Sequence, residues 1–293
     1  MSHSSPFSGS SSFWKYFQGI KPDRVWVCSV LLLGIVLLGL LAPVITHIEP
    51  TTVNLLARSK PPVWYEGGSW YYPLGTDNLG RDMLSRCLYG IRTSFGIATL
   101  GLIFSAILGV SIGIIAGLVG GYADELLMFI TDVFITIPNL LLLLAGIVLL
   151  GTEIWVLIVM IGLIRWEAYA RIVRGQVMAL RELGFIEASH VLGASRLRIA
   201  VAHVLPNLIS PLTVILTLSF PSVLLMEAGL SFLGVGVQPP TPSLGRMIGS
   251  GRDYLLDAWW MSGMPSIVIV SITLLFQLIG DGLRDKLDVR LDG

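Results

Sequence analysis

Arg181 to Pro206 reads RELGFIEASHVLGASRLRIAVAHVLP. The stretch is too polar for a membrane span and too apolar for a surface tail, and runs long enough to cross a bilayer flank it on both sides. Gly184 and Gly193 bracket a block, 185–192, that as a helix would be about 12 Å long. Glycine reaches the left-handed conformation without the penalty a Cβ incurs, so Gly193 is placed to end that helix. The Ser195 hydroxyl can cap a second helix starting just beyond it. The expectation is a short helix, a tight turn and a new helix, making a knob on the membrane surface.

The rest of the chain supplies the membrane. Of its 293 residues 54% are hydrophobic and 13% charged, about half the charge of a soluble globular domain. The fold class that follows is an all-α polytopic membrane protein. Apolar runs of spanning length cover Arg24 to Thr46, Ser94 to Gly120, Leu127 to Leu150, Asn207 to Leu233 and Met261 to Ile279. A sixth, Ile154 to Tyr169, ends among Arg165, Glu167, Arg171 and Arg174. Six spans put both termini on one side. No small-x-small cleavage site follows the first run, so it reads as an uncleaved span. Met1 to Asp23 is a serine-rich tail whose Phe13, Trp14, Tyr16 and Phe17 suit a short interfacial helix.

Within the second run Gly109, Gly113 and Gly117 recur every fourth residue. They share one helix face and predict close packing against another helix. Pro211 and Pro221 permit kinks in the fifth run. Two polar loops stand out, His47 to Arg92 and Gly234 to Trp260. In the first, Thr76 or Asp77 can cap a short helix with Leu79, Met83 and Leu84 on one side, suited to lying flat on a surface.

Several function classes drop out. Net charge near zero gives no footprint for nucleic acid. Cys28 and Cys87 imply no disulfide framework, and the four histidines lack metal-ligand spacing. No G-x-x-x-x-G-K-[ST] occurs, so the chain holds no P-loop of its own. Neither a HExxH string nor an intramembrane Ser-His pair favours an enzyme. Two intramembrane carboxylates, Asp132 and Glu227, invite a functional reading by default. Either one could line a translocation path and meet a cationic group, or be hydrogen-bonded at a helix interface.

Glu187-Ala188-Ser189, Gly193 and His203-Val204-Leu205-Pro206 resemble the "EAA" signature of permease subunits of bacterial ABC importers, with Ser189 in place of the second alanine. The string LGTDNLGRDMLSR at 74–86 is similar to a narrower group, the second ("C") permease subunit of dipeptide, oligopeptide and nickel importers. SFLGVGVQPPTPSLG at 231–245 and GDGLRDKLD at 280–288 resemble that group too, although Val289 stands where a proline is usual. The resemblance implies the type I ABC importer permease fold. It also implies a coupling helix that docks into a cytoplasmic ATPase through Glu187, Ala188, Ser189, Gly193, Leu205 and Pro206. Gly75, Thr76, Asp77, Gly80, Arg81 and Asp82 form its extracytoplasmic loop motif. Relatives often carry an arginine three residues before Asp132. Phe129 stands there, so another group must pair with Asp132.

Orientation follows from charge without the resemblance. Lys15, Lys21, Arg24, Arg165, Arg171, Arg174, Arg181, Arg196, Arg198, Arg284, Lys286 and Arg290 gather on the side of the termini, and the positive-inside rule makes that side cytoplasmic. The chain then divides into a tail 1–23, a first span with extracytoplasmic loop 24–92, a five-helix core 93–281 containing 181–206, and a tail 282–293. A six-span subunit encloses no path, so a second permease subunit is expected. By resemblance the assembly adds two ATPases binding ATP and Mg, and an extracytoplasmic substrate-binding protein, in a bacterial inner membrane. No cofactor is expected on this chain. The competing reading is an ion-coupled secondary transporter using Asp132 and Glu227, which has no need of a glycine-bracketed knob. The substrate stays open among peptides, nickel or metal chelates, glutathione and opines.

Overall fold

The computed structural model describes residues 24–184, 186, 189 and 192–288, and all their regular elements are helical. The expectations for the tail before Arg24 and for Val289 onward lie outside these residues. The helices are α1 (Arg24–Leu40), α2 (Met83–Val119), α3 (Gly121–Thr136), α4 (Asn139–Leu150), α5 (Ile154–Arg181), α6 (Arg196–Phe232), α7 (Leu244–Gly251) and α8 (Trp260–Asp288).

By length and apolarity α2, α6 and the Trp260–Lys286 part of α8 can each cross a membrane, and α3 with α4 adds a fourth if the pair is one span. That pair turns by 89° where Pro138 interrupts it, because proline withholds a backbone donor and disfavours helix in the residue before it. At 17 residues α1 is shorter, and α5 is diluted by its own charges.

The contacts fix the directions of the helices. Along α2, Gly101, Gly109, Gly113 and Gly117 meet Ile161, Trp166, Ala170 and Val177 of α5 in ascending order, so the two helices run parallel. The intervening α3–α4 pair runs back along α5, with Asp124, Asp132 and Gly146 beside Arg174, Arg171 and Met160. A Cβ at Gly109 would stand 2.4 Å from the Trp166 carbonyl oxygen, and one at Gly113 2.6 Å from that of Ala170. The glycine face therefore brings two backbones into contact in a medium where apolar surface alone gives no drive to associate. In the centre Phe220 of α6 stacks on Phe276 of α8 at 3.9 Å, and Phe95 of α2 lies 5.0 Å from Phe220.

One end of the bundle gathers residues 47–82, the start of α2, the end of α6, α7 and the start of α8. Gly90 abuts Leu244, Gly249 abuts Phe232, and Trp260 Nε1 donates to the Thr76 carbonyl oxygen at 3.1 Å. The other end gathers the start of α1, where Val25 meets Gly282 of α8, and the close of α2, α5 and the 182–204 segment.

Three boundaries differ from those the sequence suggests. The first loop ends at Asp82, not Arg92, because α2 begins nine residues before Arg92, at Met83, and keeps Arg86 only 5% exposed. No flat surface helix forms there. Asp82 instead caps α2, its Oδ2 accepting from Ser85 N at 2.8 Å and Ser85 Oγ at 2.6 Å, and Met83 is buried. At the far end α6 begins at Arg196, not Asn207, and α8 carries on through 282 to Asp288. The divisions at 92 and 282 thus fall inside helices.

Candidate functional site: the 182–206 segment and the 74–86 loop motif

Gly193 has φ +82 and Ala194 N donates to Ser189 O at 3.0 Å. A bond from the second residue past a helix end to the carbonyl five back, with a left-handed glycine between, is the Schellman arrangement. Gly193 therefore ends the short block by its backbone alone, and a side chain there would meet open space. Ser195 caps α6, accepting from Arg198 N at 3.3 Å. Glu187 and Ala188 lie outside the described residues, as do Phe185, His190 and Val191.

Ile186 shows how the block is seated. Its side chain is buried in a cluster with Val173 and Val177 of α5 and Ile199, Val204 and Leu208 of α6. Leu192 is 87% exposed. Ile186 thus rests on the ends of α5 and α6 together. From Arg196 onward the helix does not break. Ala200–Val204 is a turn of π-helix in which Leu205 N donates to Ala200 O. Pro206, which has no N–H, sits in the next turn, where Asn207 Nδ2 donates to His203 O at 2.7 Å. A π-turn accommodates a proline without ending a helix. Leu205 and Pro206 thereby belong to one rod from Arg196 to Phe232.

The neighbouring helix ends are pinned. Arg174 forks onto Asp124, with Nε–Oδ1 at 2.5 Å and Nη2–Oδ2 at 2.6 Å, and Arg181 Nη1 donates to the Gly117 carbonyl oxygen at 2.7 Å. These bonds tie α3 and α2 to α5 just before the segment starts.

At the opposite end of the bundle the loop motif is tied into the fold. Asp77 Oδ1 accepts from Leu79 N and Arg81 N, both at 2.9 Å, and Oδ2 accepts from Arg81 Nε at 2.6 Å, with Arg86 Nε 3.5 Å away. Thr76 Oγ1 accepts from Lys60 N and donates to Ala57 O. Gly75 and Gly80 are left-handed, φ +77 and +74, and a Cβ on Gly80 would stand 1.8 Å from Asn54 O. Thr76, Asp77 and Asp82 are all buried, so the motif folds residues 50–82 over the first turns of α2 and α8. Arg246 of α7 lies close to this cluster, where burial and the Arg81 guanidinium hold it below its ordinary value.

The two intramembrane carboxylates are placed apart. Glu227 is 1% exposed, accepts from Ser231 Oγ at 2.7 Å, and has Ser94 of α2 beside it. The two serines also take Val237 N and Leu244 N, so Glu227 sits in a polar joint between α6, α2 and the α7 loop, buried in the single chain. Asp132 pairs with Arg171 of α5 at 2.5 Å, both side chains exposed in the single chain. Arg171 is thus the partner that Phe129 cannot be, and it comes from 39 positions away.

The description "Binding-protein-dependent transport system inner membrane component" matches residues 109–293. The chain belongs to this family. Relatives cover nearly its whole length. The dipeptide transport system permease protein DppC of Haemophilus influenzae is 37% identical over 98% of this chain and 96% of its own. The di/tripeptide permease DppC of Pseudomonas aeruginosa is 39% identical over 95% and 91%, and the oligopeptide permease OppC of Bacillus subtilis 35% over 96% and 91%. Among solved structures, an inward-facing MetNI methionine ABC transporter superposes with TM-score 0.55 at 21% identity, over 69% of this chain and 97% of that one. The likeness gives the fold, that of an ABC transporter membrane subunit. In this inner-membrane component, then, the α5–α6 segment and the 74–86 motif lie at opposite ends of the bundle.

Proposed function

We propose that the chain is one of two membrane subunits of an ATP-driven importer of short peptides, supplying half of the translocation path. The observation that carries the reading is near-full-length similarity to permeases named for dipeptides, di/tripeptides and oligopeptides. In this reading α1, α2, the α3–α4 pair, α5, α6 and α8 are six spans with both termini in the cytoplasm. The 182–206 segment docks on one of two ATPase subunits, which hold ATP and Mg. The loop at 47–82 faces an extracytoplasmic binding protein. The alternation of helix ends between two poles supports the arrangement, and so does the seating of Ile186 on both α5 and α6. A push on the block then reaches two spans at once.

Topology is tested with single cysteines in a chain whose buried Cys28 and Cys87 are replaced by serine. Leu56, 96% exposed at the outer pole, and Leu192, 87% exposed at the other, make a matched pair. Leu56→Cys should react with an impermeant thiol reagent in intact spheroplasts, and Leu192→Cys only after permeabilisation. The reverse pattern would turn the protein over and remove the docking role.

A further inference from the structure

Arg165, which the charge count sets on the side of the termini, lies well inside α5 in the six-span reading, and among the described residues it makes no ion pair with a carboxylate. It lies eleven residues into α5 from Ile154, and Ser222, which it touches, lies ten residues from the end of α6 at Phe232. At ~1.5 Å per residue both positions are about 15–17 Å from the outer pole, half of a hydrocarbon core roughly 30 Å thick. Arg165 Nη2 donates to Ser222 Oγ at 3.1 Å, while the Ser222 hydroxyl donates to Ser219 O at 2.7 Å. Spending its hydrogen on its own helix leaves Ser222 an acceptor, which holds the guanidinium in place. Arg165 Nε is buried without a partner. Among the described residues the ion pairs involve Arg81, Arg86, Arg171, Arg174 and Arg252, and Arg165 joins none of them. Glu167, two residues along and buried, makes no ion pair with it either.

The face around this group is open. Ser222 is exposed on α6, Leu225 one turn on is 53% exposed, and Gly229 two turns on has nothing within 4 Å of an added Cβ. A guanidinium facing hydrocarbon at this depth is costly and is found where it meets water, a partner charge or substrate. It has five N–H donors in a fork that suits a carboxylate, and the contacts above use one.

We propose that Arg165, steadied by Ser222, is an anion station halfway along the translocation path and receives the carboxylate of a passing peptide. The carboxylate part rests on the importer reading above. The place along a path rests on it too; the guanidinium without an ion pair does not.

The experiment uses the complete transporter, with its second permease subunit and ATPases, in proteoliposomes, with Cys28 and Cys87 replaced by serine. Leu225, one turn from Ser222 and 53% exposed, becomes cysteine, with Gly229→Cys as a second position. Each is treated with an anionic sulfonate and with a cationic trimethylammonium methanethiosulfonate. A positive charge about 6 Å away at an effective dielectric of ~20 favours the anion more than tenfold. The expected result is faster modification by the sulfonate by about that factor, lost on adding Arg165→Gln and retained with Arg165→Lys. Equal rates, a preference that survives Arg165→Gln, or no reaction at either position would overturn the proposal. Dipeptide uptake should fall at least tenfold in Arg165→Gln with unchanged peptide affinity of the binding protein, and uptake at the native rate would also overturn it. Should the native transporter move no dipeptide while the charge preference holds, the anion station stands and the peptide reading fails.

Discussion

Gly193→Val is expected to insert and accumulate like the native chain and to abolish coupled uptake, a loss of tenfold or more. The position has open space around it, so the substitution costs nothing in packing. What it costs is backbone. At φ +82 a side chain pays about 1–2 kcal/mol, and a β-branched one pays the most. The Ser189–Ala194 bond that closes the block is then lost, and the block either runs on or swings away from Ile186's seat on α5 and α6. Nothing in a span changes, so amounts in the membrane should hold. Gly193→Asn should keep most activity, because asparagine tolerates the left-handed region. The check is uptake against ATP turnover at matched expression. Normal coupled transport by Gly193→Val would show that this block does not transmit the ATPase movement.

Gly109→Leu should act on the fold itself, lowering accumulation in the membrane by an order of magnitude. Its Cβ would meet Trp166 O at 2.4 Å, Tyr169 Cβ at 2.6 Å and Ala170 N at 3.0 Å. Two of these are backbone atoms that cannot rotate aside, so α2 and α5 must separate along their whole length. Overpacking of this kind typically costs about 1–3 kcal/mol, and occasionally more. Gly96, on the same helix, has nothing within 4 Å of an added Cβ, and Gly96→Leu should accumulate normally. Quantitative immunoblotting of membranes separates the two, and equal amounts would mean that the α2–α5 contact does not hold the bundle together.

The contrast between these glycines shows what a sequence can carry. The four-residue recurrence of Gly109, Gly113 and Gly117 announces a packing face, because helical spacing alone puts them together. The partner is another matter, since nothing local to α2 specifies Trp166 or Ala170. Gly193 and Ser195 are equally local, and the structure gives the one φ +82 and the other an N-cap bond. Charge misleads where it is buried. Arg86 and Arg92 make the start of α2 look like loop, but Asp77 and the Pro50 carbonyl supply Arg86 with partners across the fold. Arg196 and Arg198 hide the start of α6 although both are exposed. Pro138 marks a break, though not an 89° turn. Asp132's pairing with Arg171, and the joining of Glu227 to Ser94, depend on distant helices being side by side.

The most direct test of the importer reading is labelled dipeptide uptake by proteoliposomes. They hold this chain, its second permease subunit and the ATPases, with binding protein outside and Mg-ATP inside. Accumulation that requires internal ATP and persists when ionophores collapse every ion gradient is the expected result. Accumulation without ATP, driven by an imposed proton or sodium gradient, would contradict it and make the chain a gradient-driven carrier.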